Sequence, residues 1–479
     1  MKRTLAIIAA LLLPSSVALR AAETAKPAKS NILFLFADDQ RADTIAALGN
    51  PVIQTPNLDR LAHAGLAFDR AYMQGGMNAA TCVPSRAMLL SGRNLFRIHE
   101  KLKQGQTFDD TWPAAFGRAG YTTFMTGKWH NGAPAVPHSF QIARSVFVGG
   151  MGNPMHLELS DLAEGQLTPP KVAAKHSIAT FADQAIRFLK EHKGGPFFAY
   201  VPFDAPHDPH IVPPDFAINY DPAKIPLPPG FLPQHPWNNG EMTIRDEELM
   251  PWPRTPERVQ AYLAEYYRYI TYLDSQIGRI LEALSVSPYA QNTIVVFSAD
   301  SGVACGCHGL IGKQNVYEHS MRVPLIIRGP GIPADKRTDA MCYLFDVLPT
   351  LGKMCGVIGP DATDGIDFSA TLVDPTKPAR RSMMFAYRNV QRAYRDDRWK
   401  LIRYPLVDKT QLFDLQSDPH ETKNLADNPE SAAKICELSD RLEEEMKRSG
   451  DTATLKVASP DPAEWTAPAK AVKKKAKNR

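Results

Sequence analysis

The chain has 479 residues, 44% hydrophobic and 22% charged, which is enough to bury a large core and a smaller one and excludes a disordered or fibrous protein. Its net charge is only +4, and much of that sits in the tail "AKAVKKKAKNR", so the near-neutral body excludes a general nucleic-acid binder. Six cysteines are too few for a dense disulfide scaffold.

In chain order, "MKRTLAIIAALLLPSSVALRAAE" comes first. Lys2 and Arg3 precede an apolar run, Leu5 to Leu13, that is too short to span a bilayer, and Ser16-Val17-Ala18 offers a cleavage site. Residues 1–22 therefore read as a signal peptide, and the mature protein is expected to be exported, periplasmic or secreted, with no transmembrane segment. In an oxidising compartment Cys342, Cys355 and Cys436 are open to pairing in any combination, whereas Cys305 and Cys307 stand too close for an easy mutual bridge.

Four short apolar runs then end in chemistry. "NILFLFADDQ" leads into Asp38 and Asp39, "YTTFMTGKWH" into Lys128 and His130, "PFFAYVPFDAPHDPH" into His207 and His210, and "NTIVVFSADSG" into Asp300 and Ser301. Continuous apolar runs of this length predict strands buried on both faces. Between them, "AYLAEYYRYITYLDSQIGRILEAL" places apolar or aromatic residues at 263, 266, 270, 273, 277, 280 and 284, one buried face of a helix. The alternation predicts an α/β fold with a mostly parallel sheet, whose ligands bind beyond the carboxyl ends of the strands. Singly, each polar strand end has an ordinary explanation: a turn or cap for the Asp pair, a solvated charge for Lys128, a structural role for His207. Chance explains their conjunction poorly.

"NAATCVPSRAMLLSGR" adds Cys82. Pro84 suits the first turn of a helix, and Gly92 can close it, so Cys82 lies near a helix N-terminus where anions are favoured, with Arg86 about one turn on. The commonest fate of a free cysteine is burial as a small apolar group. The basic helix-start setting favours a functional residue.

These residues identify the chain as similar to a family. "CVPSR" followed by "LLSGR" resembles the sulfatase signature, and "ILFLFADDQ", "TGKWH", "APHDP", "SADSGVACGCHGLIGKQNVYEHSMRVPLIIRGPG" and "QLFDLQSDPHETKNLA" resemble further elements of that family in the same order, over roughly Asn31 to Asn428. The resemblance implies an alkaline-phosphatase-like fold: a mixed, mostly parallel sheet flanked by helices, then a smaller α+β part with a short antiparallel sheet. Residues 30–374 are expected to form the catalytic domain and 375–465 the C-terminal subdomain, with a disordered basic tail over 466–479.

The resemblance also implies roles. Cys82 would be oxidised by a formylglycine-generating maturation enzyme, and its hydrate would attack sulfur. Asp38, Asp39 and Asp300, with Cys82 and Ser301, would hold Ca²⁺. Arg86, Lys128 and Lys313 would steady the nucleophile and sulfate, His207 would protonate the leaving group, and His130 would drive sulfate release. Ser301 departs from the family, which usually carries Asn, Gln or His there. The expected substrate is a sulfated saccharide or small sulfate ester. His210 and His308 are further candidates for substrate contact, as are Trp237 and Trp252 in the long irregular segment after His207, where Arg245 or Arg254 is a candidate to meet further anionic groups. Two other functions compete: a phosphonate monoester or phosphodiester hydrolase on the same fold, and a non-catalytic sulfoglycan-binding homologue, suggested only by Ser301.

Overall fold

A computed structural model describes residues 29–103 and 110–468; the leader expected over 1–22 and the tail from 469 onward lie outside the described residues. The main sheet is built from β1 (Asn31–Ala37), β2 (Leu66–Tyr72), β3 (Thr122–Lys128), β4 (Ile142–Phe147), β5 (Phe197–Pro202), β6 (Thr293–Ala299), β7 (Arg322–Arg328) and β8 (Lys336–Thr338). They lie in the order β8-β2-β7-β6-β1-β5-β3-β4, and the pair Cys342–Tyr343 adds a ninth strand beside β2. From β6 to β4 every pairing is parallel, while β7 runs antiparallel to both β6 and β2.

The apolar runs become strands because both faces are covered. Ile32, Phe34 and Phe36 point into one core, and Leu33, Leu35 and Ala37 into the other. The first core is closed partly by helix α1 (Cys82–Ser91), through Met88 and Leu90. The second is closed by α2 (Ser177–Glu191) and α3 (Pro256–Ser285). All seven residues of the α3 periodicity are buried. Connections that carry helices to both faces leave the carboxyl ends of the central strands free to converge.

The C-terminal part is a second sheet, β9 (Met383–Tyr387), β10 (Gln391–Arg395), β11 (Trp399–Tyr404) and β12 (Lys409–Asp414), antiparallel throughout. Helix α4 (Ala432–Ser449) covers it through Leu438, Leu442 and Met446. Gly75–Gly76, far earlier in the chain, pairs in parallel with β9, so the segment leading into α1 is stitched to this sheet. Gly75 has φ +128 and its α-carbon faces the backbone of Ala386 so closely that a side chain has no room. All six cysteines are free: Cys342 is buried in its strand, Cys355 beside Tyr121, and Cys436 is exposed on α4, so the pairings left open by the sequence do not form.

Candidate active site

Four neighbouring parallel strands, β6-β1-β5-β3, end at one edge of the sheet. Asp300 follows β6, Asp38 and Asp39 follow β1, His207 lies five residues beyond β5, and Lys128 closes β3. Above them α1 starts at Cys82 and ends at Gly92, whose φ of 69 lets the chain leave the helix. Asp39 (φ 65) and His130 (φ 58) both sit in the left-handed region, strain that persists only where surrounding contacts hold it.

The floor is a closed lattice of opposite charges. Arg86, fully buried, donates from Nη2 to Asp38 Oδ2 at 3.1 Å, from Nε to Asp300 Oδ2 at 2.9 Å, and from Nη1 to the Lys128 carbonyl at 2.9 Å. The Lys128 ammonium is paired with Asp38. Lys313 Nζ donates to both oxygens of Asp39 at 2.7 and 2.6 Å, and Ser301 Oγ donates to Asp39 Oδ1 at 2.8 Å. Three carboxylates thus face three cations. Burial alone would raise the pKa of Asp38, but Lys128 and Arg86 outweigh it and hold it well below the usual range. Asp300 moves the other way, up to about 6, through burial and the neighbouring Asp38 charge.

Cys82 Sγ lies 3.2 Å from His130 Nδ1. Burial pushes the Cys82 thiol up to about 11, against the lowering pull of Lys128. Burial and the Lys128 charge push His130 down to about 3, so its ring is neutral. One oxygen each from Asp38 and Asp300 and the Cys82 sulfur lie within 4.8 Å of one another, as do ligand atoms of Asp38, Asp39 and His207. Asp38 Oδ1 is buried with no hydrogen-bond partner. Clustered hard carboxylate oxygens, one of them orphaned, fit a divalent cation of the calcium type.

Cys82, His130, His207 and Lys313 open into a pocket of about 290 Å³. His207 Nδ1 donates to the Asp208 carbonyl at 2.8 Å, which turns Nε2 toward Asp39 Oδ2, 3.7 Å away. Other expected residues lie elsewhere. His210 packs against Tyr262, Tyr266 and Tyr269. His308 stacks on Tyr317 at 4.0 Å and its Nε2 is bound to the Glu421 carbonyl, in a separate small crevice. Trp237 packs on His235 and Tyr404, and Trp252 on Arg254 and Trp465. Neither tryptophan lines the pocket. The long segment reaches it instead through Ile244, Arg245 and Asp246, joined by Gln314 and Met151. Gln314 adjoins Lys313 in a recognisable block, whereas nothing in the sequence marks Asp246 or Met151.

Known proteins show the same chain plan. A family model described as "Sulfatase" matches residues 30–357, and one for the C-terminal region of N-sulphoglucosamine sulphohydrolase matches residues 306–448. The chain is 28% identical to the N-acetylglucosamine-6-O-sulfatase of Bacteroides thetaiotaomicron, across 93% of this chain and 90% of that one. It is also 28% identical to the choline-sulfatase of Rhizobium meliloti, across 84% and 83%. A solved structure of a protein in complex with its substrate D-glucosamine-2-N,6-O-disulfate shares the fold with a TM-score of 0.71 at 24% identity, over 88% of this chain and 99% of that one. The phosphonate monoester hydrolase of Agrobacterium radiobacter shares it with a TM-score of 0.67 at 23% identity, over 88% and 96%.

Proposed function

The chain belongs to the sulfatase family and is a sulfuric ester hydrolase, and from that premise we propose that it removes sulfate from a saccharide with a formylglycine made from Cys82 and a calcium ion. The observation that carries this reading is the buried Cys82 at the start of α1, beside His130 and within 4.8 Å of Asp38 and Asp300 ligand oxygens. Calcium would be held by Asp38, Asp39, Asp300 and the matured residue 82, with Ser301 steadying Asp39 through its hydroxyl. The bound ion would supply Lewis acidity, and the hydrated aldehyde a hydroxyl for attack on sulfur and a second one for release of sulfate.

The chain's own groups supply the rest. Lys128 and Lys313 are paired with Asp38 and Asp39. With those carboxylates holding a divalent ion, both ammonium groups would be placed to stabilise charge on sulfate oxygens. Arg86 keeps Asp38 and Asp300 aligned at the floor. His130, neutral and 3.2 Å from the residue 82 side chain, is placed to take a proton from it. His207 presents Nε2 to the pocket and, when that atom is protonated, can donate to the departing alcohol oxygen.

The leader argues for export, which would bring the nascent chain to a maturation enzyme on its way out. The saccharide substrate draws support from the 28% identity to an N-acetylglucosamine-6-O-sulfatase. One experiment tests the core of the proposal. Protein produced with a formylglycine-generating enzyme should show the thiol-to-aldehyde mass loss on the peptide carrying Cys82, and only that fraction should hydrolyse aryl sulfates. Full activity in an unmodified preparation refutes the nucleophile. A higher kcat/KM on aryl phosphonate or phosphodiester than on aryl sulfate replaces the sulfatase reading with the competing hydrolase.

A further inference from the structure

The pocket wall formed by Ile244, Arg245 and Asp246 belongs to a segment that has no strand or α-helix of its own between β5 and α3. Such a segment keeps one shape only where other parts of the chain hold it. Part of that support lies beneath it. The buried Glu247 carboxylate accepts from the backbone N–H groups of Ile311 at 3.0 Å and Gly312 at 2.9 Å, which pins the residue after Asp246 to the stretch that carries Lys313. Arg254 Nη2 donates to the same carboxylate at 2.7 Å, and the Trp252 ring covers the Arg254 guanidinium at 3.9 Å.

The outer support comes from the end of the chain, beyond residue 448, the last that either family model matches. Trp465 meets the Trp252 ring edge to face, with centroids 5.3 Å apart. Its carbonyl accepts from Gln234 Nε2 at 3.2 Å, and the Ala463 carbonyl accepts from the Asn238 N–H at 2.8 Å. The same segment is anchored to the C-terminal sheet by the buried Arg392–Asp451 ion pair and by the Asp461 N–H, which donates to the Leu406 carbonyl at 2.7 Å. A strap therefore runs from that sheet across the outside of the pocket-wall segment.

We infer that Trp465 is a positioning residue for the alcohol part of the substrate: it holds Trp252 on Arg254, Arg254 holds Glu247, and Glu247 sets the wall at Ile244 to Asp246. The inference rests on the sulfatase reading and concerns how the same pocket is shaped. Removing the ring uncovers Trp252 and loosens the wall, while the floor around Cys82 keeps its own lattice. Binding of the alcohol part then weakens in the ground state and the transition state alike, which raises KM and spares kcat.

The test compares matured parent enzyme with Trp465→Ala and Trp465→Phe. Trp465→Ala should speed amide hydrogen exchange across residues 238–249 by about tenfold and leave exchange in β6 unchanged. With 4-nitrophenyl sulfate it should raise KM about three- to tenfold, the worth of an aromatic pair, and hold kcat within about twofold. Trp465→Phe should restore most of both. If Trp465→Ala fails to fold, Gln234→Ala, which removes only the bond to the Trp465 carbonyl, should move both readouts in the same direction. Unchanged exchange and KM overturn the inference and leave the sulfatase reading standing. A fall in kcat together with loss of a calcium-induced melting shift also overturns it, because the damage then reaches the floor. No turnover by parent enzyme whose Cys82 is fully converted removes the sulfatase reading and the inference with it.

Discussion

The sulfur of Cys82 stands 3.2 Å from His130 Nδ1 in a site otherwise furnished with carboxylates. That is a chemical mismatch. A hard divalent cation prefers oxygen to a thiol, and a thiol pushed up to about 11 is protonated at neutral pH and a poor nucleophile. Replacing sulfur with oxygen at this position resolves both problems, giving a ligand and a nucleophile of the kind the surrounding residues accommodate.

Cys82→Ala and Cys82→Ser should therefore fold, since each changes little volume at a buried helix start, and both should lose activity by on the order of 10⁴-fold or more. Circular dichroism and thermal melting check the first part, and turnover of an aryl sulfate the second. A Cys82→Ser variant with activity near that of the parent enzyme would show that the aldehyde is not needed.

Metal binding should be visible without any assay of activity. Three carboxylates matched by three cations leave the floor neutral, and the orphaned Asp38 Oδ1 awaits a partner. Calcium at about 100 times its Kd should stabilise the fold by about 2.7 kcal/mol, a melting shift of a few degrees relative to chelated protein. Asp39→Asn and Asp300→Asn should each abolish most of that shift. A shift that survives both substitutions places calcium elsewhere.

The central strands and the buried face of α3 were legible because apolar runs and helical periodicity are local signals. Asp38, Lys128 and Asp300 were legible as strand-end residues, and their convergence followed from parallel topology. The pairing of Gly75–Gly76 with β9 was not, because it joins segments more than 300 residues apart and two glycines carry no pattern. Trp237 and Trp252 invited assignment to the substrate, yet their rings are used to pack the long segment against Tyr404 and Trp465. Of the two arginines the sequence offered there, Arg245 reaches the pocket, beside Asp246, whereas Arg254 is buried against Glu247. Only the three-dimensional path of an irregular loop sorts these residues from Trp237 and Trp252.

A third prediction concerns the joint between the two sheets. Lys400 on β11 pairs with Glu421 at 2.8 Å and with Glu318, beside β7, at 3.0 Å. Burial raises Glu421 to about 7 despite Lys400, whereas Arg395 and Lys400 overcome burial and bring Glu318 down to about 2. Folded protein thus keeps a proton on Glu421 that the unfolded chain releases near 4.5, so this residue's contribution to stability falls as pH rises from about 4.5 to about 7 and is flat above. Glu421→Gln should remove that decline and gain on the parent, by about 2 °C in Tm at pH 8. Glu318→Gln should melt lower than the parent at every pH from 5 to 8. The reverse ranking at pH 8 would mean that Glu421, not Glu318, is the carboxylate the joint depends on.

The last prediction assigns the general acid between two histidines three residues apart. His207 lines the pocket and presents Nε2 toward Asp39, while the Asp208 carbonyl holds its other nitrogen. His210 instead packs among Tyr262, Tyr266 and Tyr269, and burial pushes it down to about 4, so it is neutral at working pH. A proton from the enzyme matters most when the leaving group is a sugar alkoxide and least when it is a nitrophenolate, which departs unaided. General acid catalysis contributes about 10²–10⁴-fold. His207→Ala should thus depress kcat/KM on a sulfated saccharide by about that factor while slowing a nitrophenyl sulfate far less. His210→Ala should lower the melting temperature, because it empties a ring from a tyrosine cluster, and should slow both substrates by similar, smaller factors. A defect that depends on the leaving group in His210→Ala and is missing in His207→Ala would exchange the two roles.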